Sequence, residues 1–80
     1  MPTILRTKGY RFFFFSREGD EPMHIHIELA DKYAKFWINP IQLAESDGFR
    51  SSEITEIRKM VEENKKLFEE KWNEYFNRQS

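Results

Sequence analysis

From Met23 to Leu29 the chain alternates without a break. His24, His26 and Glu28 occupy one set of positions, and Ile25, Ile27 and Leu29 fall between and beyond them. Successive side chains of a β-strand point to opposite faces, so this spacing predicts a strand with one aliphatic and one ligand-capable face. The aliphatic set must lie on a core, and the face bearing both histidines and Glu28 is expected to be the open one. These are the only two histidines of the chain. Pro22 favours extended backbone at Glu21 and delivers the chain into the strand.

The flanking segments extend the pattern. Thr3 to Arg6 reads as a short strand, Lys8-Gly9 as a two-residue turn, and Tyr10 to Phe15 as a second strand. Four consecutive Phe give that strand no polar face at its far end, which suits a strand covered on both sides or one that meets a partner. Residues 16–23 read as a loop. A turn at Asp31-Lys32 followed by a strand from Tyr33 to Ile38 would set Leu29 opposite Ala34, Ile27 opposite Phe36 and Glu28 opposite Lys35. Ile41 to Ala44 is a fifth strand or an irregular edge, and Ser46-Asp47-Gly48 a turn.

Beyond Ser52 the apolar period changes to threes and fours: Ile54, Ile57, Val61, Phe68, Trp72 and Tyr75, with Asn64 on the same stripe. This predicts one long helix to Phe76, kinked or divided at Asn64, with Ser51 or Ser52 as its cap. The expected fold is α+β: an antiparallel sheet of four to five strands, in two hairpins, with one long C-terminal helix packed on a face. Residues 1–80 are expected to form a single domain, mainly β over 1–45 and helical over 51–77. With 80 residues the core is small, and eight Phe, three Tyr and two Trp compensate by the area each ring removes from water.

Composition excludes some chemistry. There is no cysteine, hence no disulfide and no thiolate metal site, which fits a reducing cytoplasm. No apolar run approaches the roughly 18 residues of a membrane span, and Arg6 and Lys8 interrupt any signal-like segment. Net charge is −1, yet Arg6, Lys8, Arg11 and Arg17 fall in the first 17 residues with no acid among them.

Three constellations carry candidate chemistry. His24 and His26 are a base and an acid for a metal-independent ribonuclease, with Arg11, Arg17, Lys8 or Lys35 as the cation for phosphate. His24, His26 and Glu28 are a ligand set suited to zinc or non-haem iron; no cofactor is otherwise expected. Arg6, Lys8, Arg11 and Arg17, with Phe13 and Phe15, and with Lys35 and Trp37 on the neighbouring hairpin, offer the cations and rings by which single-stranded RNA is held. Each has a plainer reading: a solvent-facing strand, a structural histidine pair, and Phe rings in the core.

Three segments carry a resemblance: Gly9-Tyr10-Arg11-Phe12-Phe13-Phe14-Phe15-Ser16, Glu21-Pro22-Met23-His24-Ile25-His26-Ile27 and Trp72-Asn73-Glu74-Tyr75-Phe76. With Pro2-Thr3-Ile4, Trp37 and Leu43-Ala44, they make the chain similar to a small prokaryotic family, domain of unknown function number 4160. The family usually has a second proline where this chain has Met23. The resemblance implies a bacterial or archaeal cytoplasmic protein. Genes of the family often lie beside another very small gene, an arrangement similar to toxin–antitoxin pairs. It supplies no activity; it marks His24, His26 and Arg11 only as members of its signature segments. The expected partners are a small protein, as the resemblance implies, RNA through the basic aromatic hairpin, and a second copy of the chain through the Phe-rich strand; a membrane is not expected.

Overall fold

The structure is a computed structural model that describes residues 3–15 and 20–76. Five strands form one antiparallel sheet in chain order: β1 (Thr3–Thr7), β2 (Tyr10–Phe13), β3 (His24–Leu29), β4 (Lys32–Ile38) and β5 (Ile41–Asp47). Two helices follow, α1 (Ser51–Glu63) and α2 (Lys65–Phe76).

Turn chemistry sets the register of each hairpin. Lys8 and Gly9 both take positive φ, 54° and 85°, and join Thr7 to Tyr10 in the two-residue geometry that matches strand twist. The β3–β4 turn lies at Ala30-Asp31 rather than Asp31-Lys32, and Ala30 takes φ 53°. The pairing is thus displaced by two residues from the sequence expectation: Ile27 faces Ala34, Ile25 faces Phe36 and His24 faces Trp37. A two-residue slip preserves both faces, so polarity alone does not choose between these registers. The observed one carries a tertiary contact at its turn. Lys32 stays at the strand end, where its Nζ donates to Glu53 Oε2 at 3.1 Å, at the cost of about 1 kcal/mol for a non-glycine residue in the left-handed region. β5 runs on to Asp47, with an irregularity opposite Lys35 and Phe36 that leaves Ala44 without a pairing partner.

The helical segment is two helices, not one long helix. Asn64 closes α1 at φ −111°, ψ 16°. Its backbone N–H and its side-chain Nδ2 both donate to the Met60 carbonyl. Its own carbonyl then accepts from Phe68 N–H and starts α2. A short amide side chain that bonds nearby backbone is what breaks the helix here. The helix start also departs from expectation. The cap residue is Arg50, not a serine, and Glu53 accepts from its backbone N–H at 2.8 Å.

Both helices pack on the aliphatic face. Ile57, Met60 and Val61 of α1, with Phe68 and Trp72 of α2, close over Phe12, Phe14, Ile25, Ile27, Ala34, Phe36 and Ile38. Phe12 stacks on Phe68 with centroids 5.4 Å apart, and Phe14 meets the Trp72 edge at 5.3 Å. Full burial of one such ring contributes about 2–3 kcal/mol. Tyr10 joins the rim of this core and donates to Glu56 Oε1 at 3.1 Å. Burial, with the adjacent Glu56 carboxylate, pushes its phenol up to about 12. Among the described residues no helix is long and apolar enough to cross a membrane.

Glu53 accepts from the backbone N–H of the cap residue Arg50 and links α1 to the sheet through Lys32, and these bonds hold its carboxyl below the ordinary value of 4.5. A lowered folded-state pKa stabilises above the unfolded value and loses that contribution as pH falls through the folded one. Glu53→Gln should therefore lower the urea midpoint at pH 7, and the gap from wild type should close as pH drops below the carboxylate range. A gap unchanged at acid pH would show that charge at Glu53 contributes nothing.

Candidate functional site

The second face of the sheet is built by the positions that the core does not use. Across the strands the register places Arg6, Arg11, Glu28, Tyr33 and Asp47 in one row, and Phe13, His26, Lys35 and Glu45 in the next. His24, Trp37 and Gln42 form a third. Neither helix lies across this face, as the sequence led one to expect. The histidines are nevertheless not open to solvent: His24 is fully buried and His26 is 2% exposed.

Neighbouring rings explain the burial. His26 stacks on Phe13 at 5.4 Å and on Tyr33 at 5.8 Å, and takes the edge of Phe15 at 4.5 Å. His24 packs edge-on against His26, Trp37 and Trp72, with centroids 4.9, 5.6 and 5.0 Å away. Trp72 reaches His24 from α2, so one helical ring touches both the core and the histidine pair. Cross-strand aromatic packing thus covers the imidazoles without a further layer of secondary structure.

Hydrogen bonds fix the ring orientations. His24 Nδ1 lies 2.8 Å from the Pro22 carbonyl oxygen. A carbonyl only accepts, so His24 carries a proton on Nδ1 and donates it there. Pro22 therefore both directs the chain into β3 and sets the His24 tautomer. His26 Nδ1 and the Tyr33 hydroxyl share a 2.6 Å bond.

Two cations of this face, Arg11 and Lys35, already have partners. Arg11 Nη1 donates to Glu28 Oε1 at 2.6 Å, its Nε donates to Thr3 Oγ1 at 2.8 Å, and its guanidinium lies over Phe13 at 4.4 Å. Lys35 Nζ donates to Glu21 Oε1 at 3.0 Å and lies over Trp37 at 4.6 Å. Because both pairs are partly screened from water and seated on rings, they are held more firmly than surface ion pairs.

The structure therefore gathers most of the residues singled out in the sequence: His24, His26, Glu28, Arg11, Phe13, Phe15, Lys35 and Trp37 share one face, and Arg6 lies at its β1 margin. Lys8 does not join them; its Nζ sits 3.8 Å from Glu56 in the second turn of α1. Arg17 lies outside the described residues. As a metal set, His24, His26 and Glu28 share the face, but the Glu28 carboxylate is directed to Arg11. Among the described residues no group of three or more His, Cys, Asp or Glu side chains is arranged to hold a metal ion. Surface hollows lie elsewhere among the described residues. One of about 450 Å³ lies between Lys8 and α1, and one of about 250 Å³ lies among Arg6, Gly9, Arg11, Glu28, Leu29 and Ala30. Neither is lined by a histidine.

Sequence reasoning missed Tyr33, Glu21 and Trp72 as parts of this site. The correct register places Tyr33 opposite Glu28 and diagonal to His26, so the turn position was the signal that would have found it. Trp72 lay on the helical apolar stripe, where a core role and a role beside His24 look alike.

A family model described as Domain of unknown function (DUF4160) matches residues 9–73, and the chain belongs to this family. No curated protein and no solved structure matches it.

Tyr33→Phe removes the hydroxyl from His26 Nδ1 while keeping the ring stack. Loss of a partner by a buried polar nitrogen costs about 1–3 kcal/mol. Chemical denaturation should show a loss in that range, whereas an unchanged midpoint would mean the bond contributes nothing to the folded state.

Proposed function

We propose that this member of the family is one half of a toxin–antitoxin-like pair in the cytoplasm, an interaction module that holds a small partner protein on the helix-free face of its sheet. One observation carries this reading. That face presents Phe15, 37% exposed, and half-buried Trp37 beside Arg11 and Lys35, whose charges are already paired with carboxylates. Aromatic residues and Arg set in a partly desolvated, charge-balanced surface are the composition of protein–protein interface centres. The pairing of Arg11 with Glu28 and of Lys35 with Glu21 speaks for a protein ahead of RNA, because phosphate binding depends on cations free to release counterions. The gene arrangement implied by the family resemblance points to a small neighbouring product as the partner.

A second reading, a ribonuclease-type toxin using His24 and His26 with Arg11, draws support from the fixed His24 tautomer, a feature that catalytic imidazoles share. The burial of both rings counts against it.

The test is co-purification with the product of the adjacent small gene, followed by titration. Phe15→Ser and Trp37→Ser should each weaken binding by about tenfold or more, equivalent to about 1.4 kcal/mol. Leu43→Ser, at an exposed position paired with Phe36 on the helix-bearing side, should leave it unchanged. Equal affinity of all variants would remove the face from partner binding. Growth arrest by the wild type that is abolished in a folded His24→Gln/His26→Gln variant would favour the nuclease reading instead.

A further inference from the structure

We infer that the helix-free face is also self-complementary, and that a second copy of this chain docks on it face to face about a two-fold axis parallel to the strands. This rests on the reading of that face as an interaction surface and names an occupant for it.

The argument comes from the rows. Exposed charge on this face is segregated by edge: Arg6 stands on β1, and Glu45 and Asp47 stand on β5. Arg6 and Asp47 lie in the same cross-strand row, at its two ends. A face-to-face pair of identical sheets has its two-fold axis in the plane between them, and only two settings align the strands. An axis across the strands stacks β1 on β1 and β5 on β5, so the basic edge of one copy lies on the basic edge of the other and the acidic edge on the acidic edge. An axis along the strands stacks β1 on β5 and preserves the row, so each Arg6 meets the other copy's Asp47. Electrostatics selects the second setting.

The interior of the face agrees with that choice. With the axis along the strands, β2 of one copy lies over β4 of the other. Phe15 continues the β2 line beyond Phe13, with which its ring makes an edge contact at 5.2 Å. It is thereby brought to the row of Trp37, so the most exposed ring of the face meets the half-buried indole. β3 lies on the axis and stacks on itself. Glu28 then approaches its own copy, with an Arg11 guanidinium bonded to each carboxylate to offset the like charge.

Size sets the expected strength. Five strands at about 4.8 Å spacing, three alternate residues deep, offer roughly 500 Å² per copy. A total near 1,000 Å² is at the lower limit of specific interfaces, so a dimer of micromolar strength or weaker is expected.

Sedimentation equilibrium over roughly 10 to 500 µM tests this. Wild type should shift with concentration from the 9.8 kDa chain mass toward twice that mass. Arg6→Asp and Asp47→Arg, both at exposed positions, should each raise the dissociation constant by about tenfold or more, and the double variant Arg6→Asp/Asp47→Arg should restore it. A wild type that stays at the chain mass throughout would overturn the dimer. A dimer indifferent to both single reversals, or one not restored by the double swap, would overturn this two-fold setting. Binding of the neighbouring gene's product by the same variants separates the two readings: a monomer that still binds that product leaves the partner surface standing without the dimer.

Discussion

Everything on the helix-free side of this molecule depends on the stack in which His26 lies between Phe13 and Tyr33. Three adjacent strands each contribute one ring to it, and the His26–Tyr33 hydrogen bond locks the middle ring to the outer one. The stack lets a sheet face that carries no helix bury two imidazoles. Without it, His26 would stand in water and His24 would lose one wall of its enclosure. The outer side chains, Arg11 and Lys35, rest on the same layer through Phe13 and Trp37. Packing thus dictates the electrostatics: each cation is drawn down to a ring and meets a carboxylate there.

The two faces of β3 bury their side chains by different means. Ile25 and Ile27 are covered by helices, the ordinary solution for an α+β fold. His24 and His26 are covered by cross-strand rings, with Trp72 of α2 as a contact shared with the core. That link makes the position of α2, and so the break at Asn64, part of the histidine site. A straight continuous helix would carry Trp72 along a different path. The Met60 carbonyl, which accepts two bonds from Asn64, is therefore as relevant to this face as any residue on it.

The sheet and its faces were legible because period-two alternation is a local signal, and β3 matches the expected span of His24–Leu29. The Lys8-Gly9 turn was legible because glycine tolerates positive φ. The Ala30 turn was not, because alanine carries no such mark and two registers separated by two residues keep the same polarity pattern. The break at Asn64 was open in the sequence: asparagine suits both a helix face and a helix end, and the Met60 carbonyl decides between them. That His24, His26, Phe13 and Arg11 share one face was legible, because alternation aligns them. Burial of the histidines was not, since a polar residue at a spacing of two looks the same whether water or a ring covers it.

The most direct test of this account is a two-dimensional NMR measurement of the imidazole ring nitrogens of the folded protein at neutral pH. The account predicts that His24 carries its proton on Nδ1, observable as a signal slow to exchange with water because the ring is enclosed and donates to Pro22. A His24 found as the Nε2–H tautomer, or one whose ring proton exchanges at the rate of a free imidazole, would contradict the buried, hydrogen-bonded histidine pair on which the face is built.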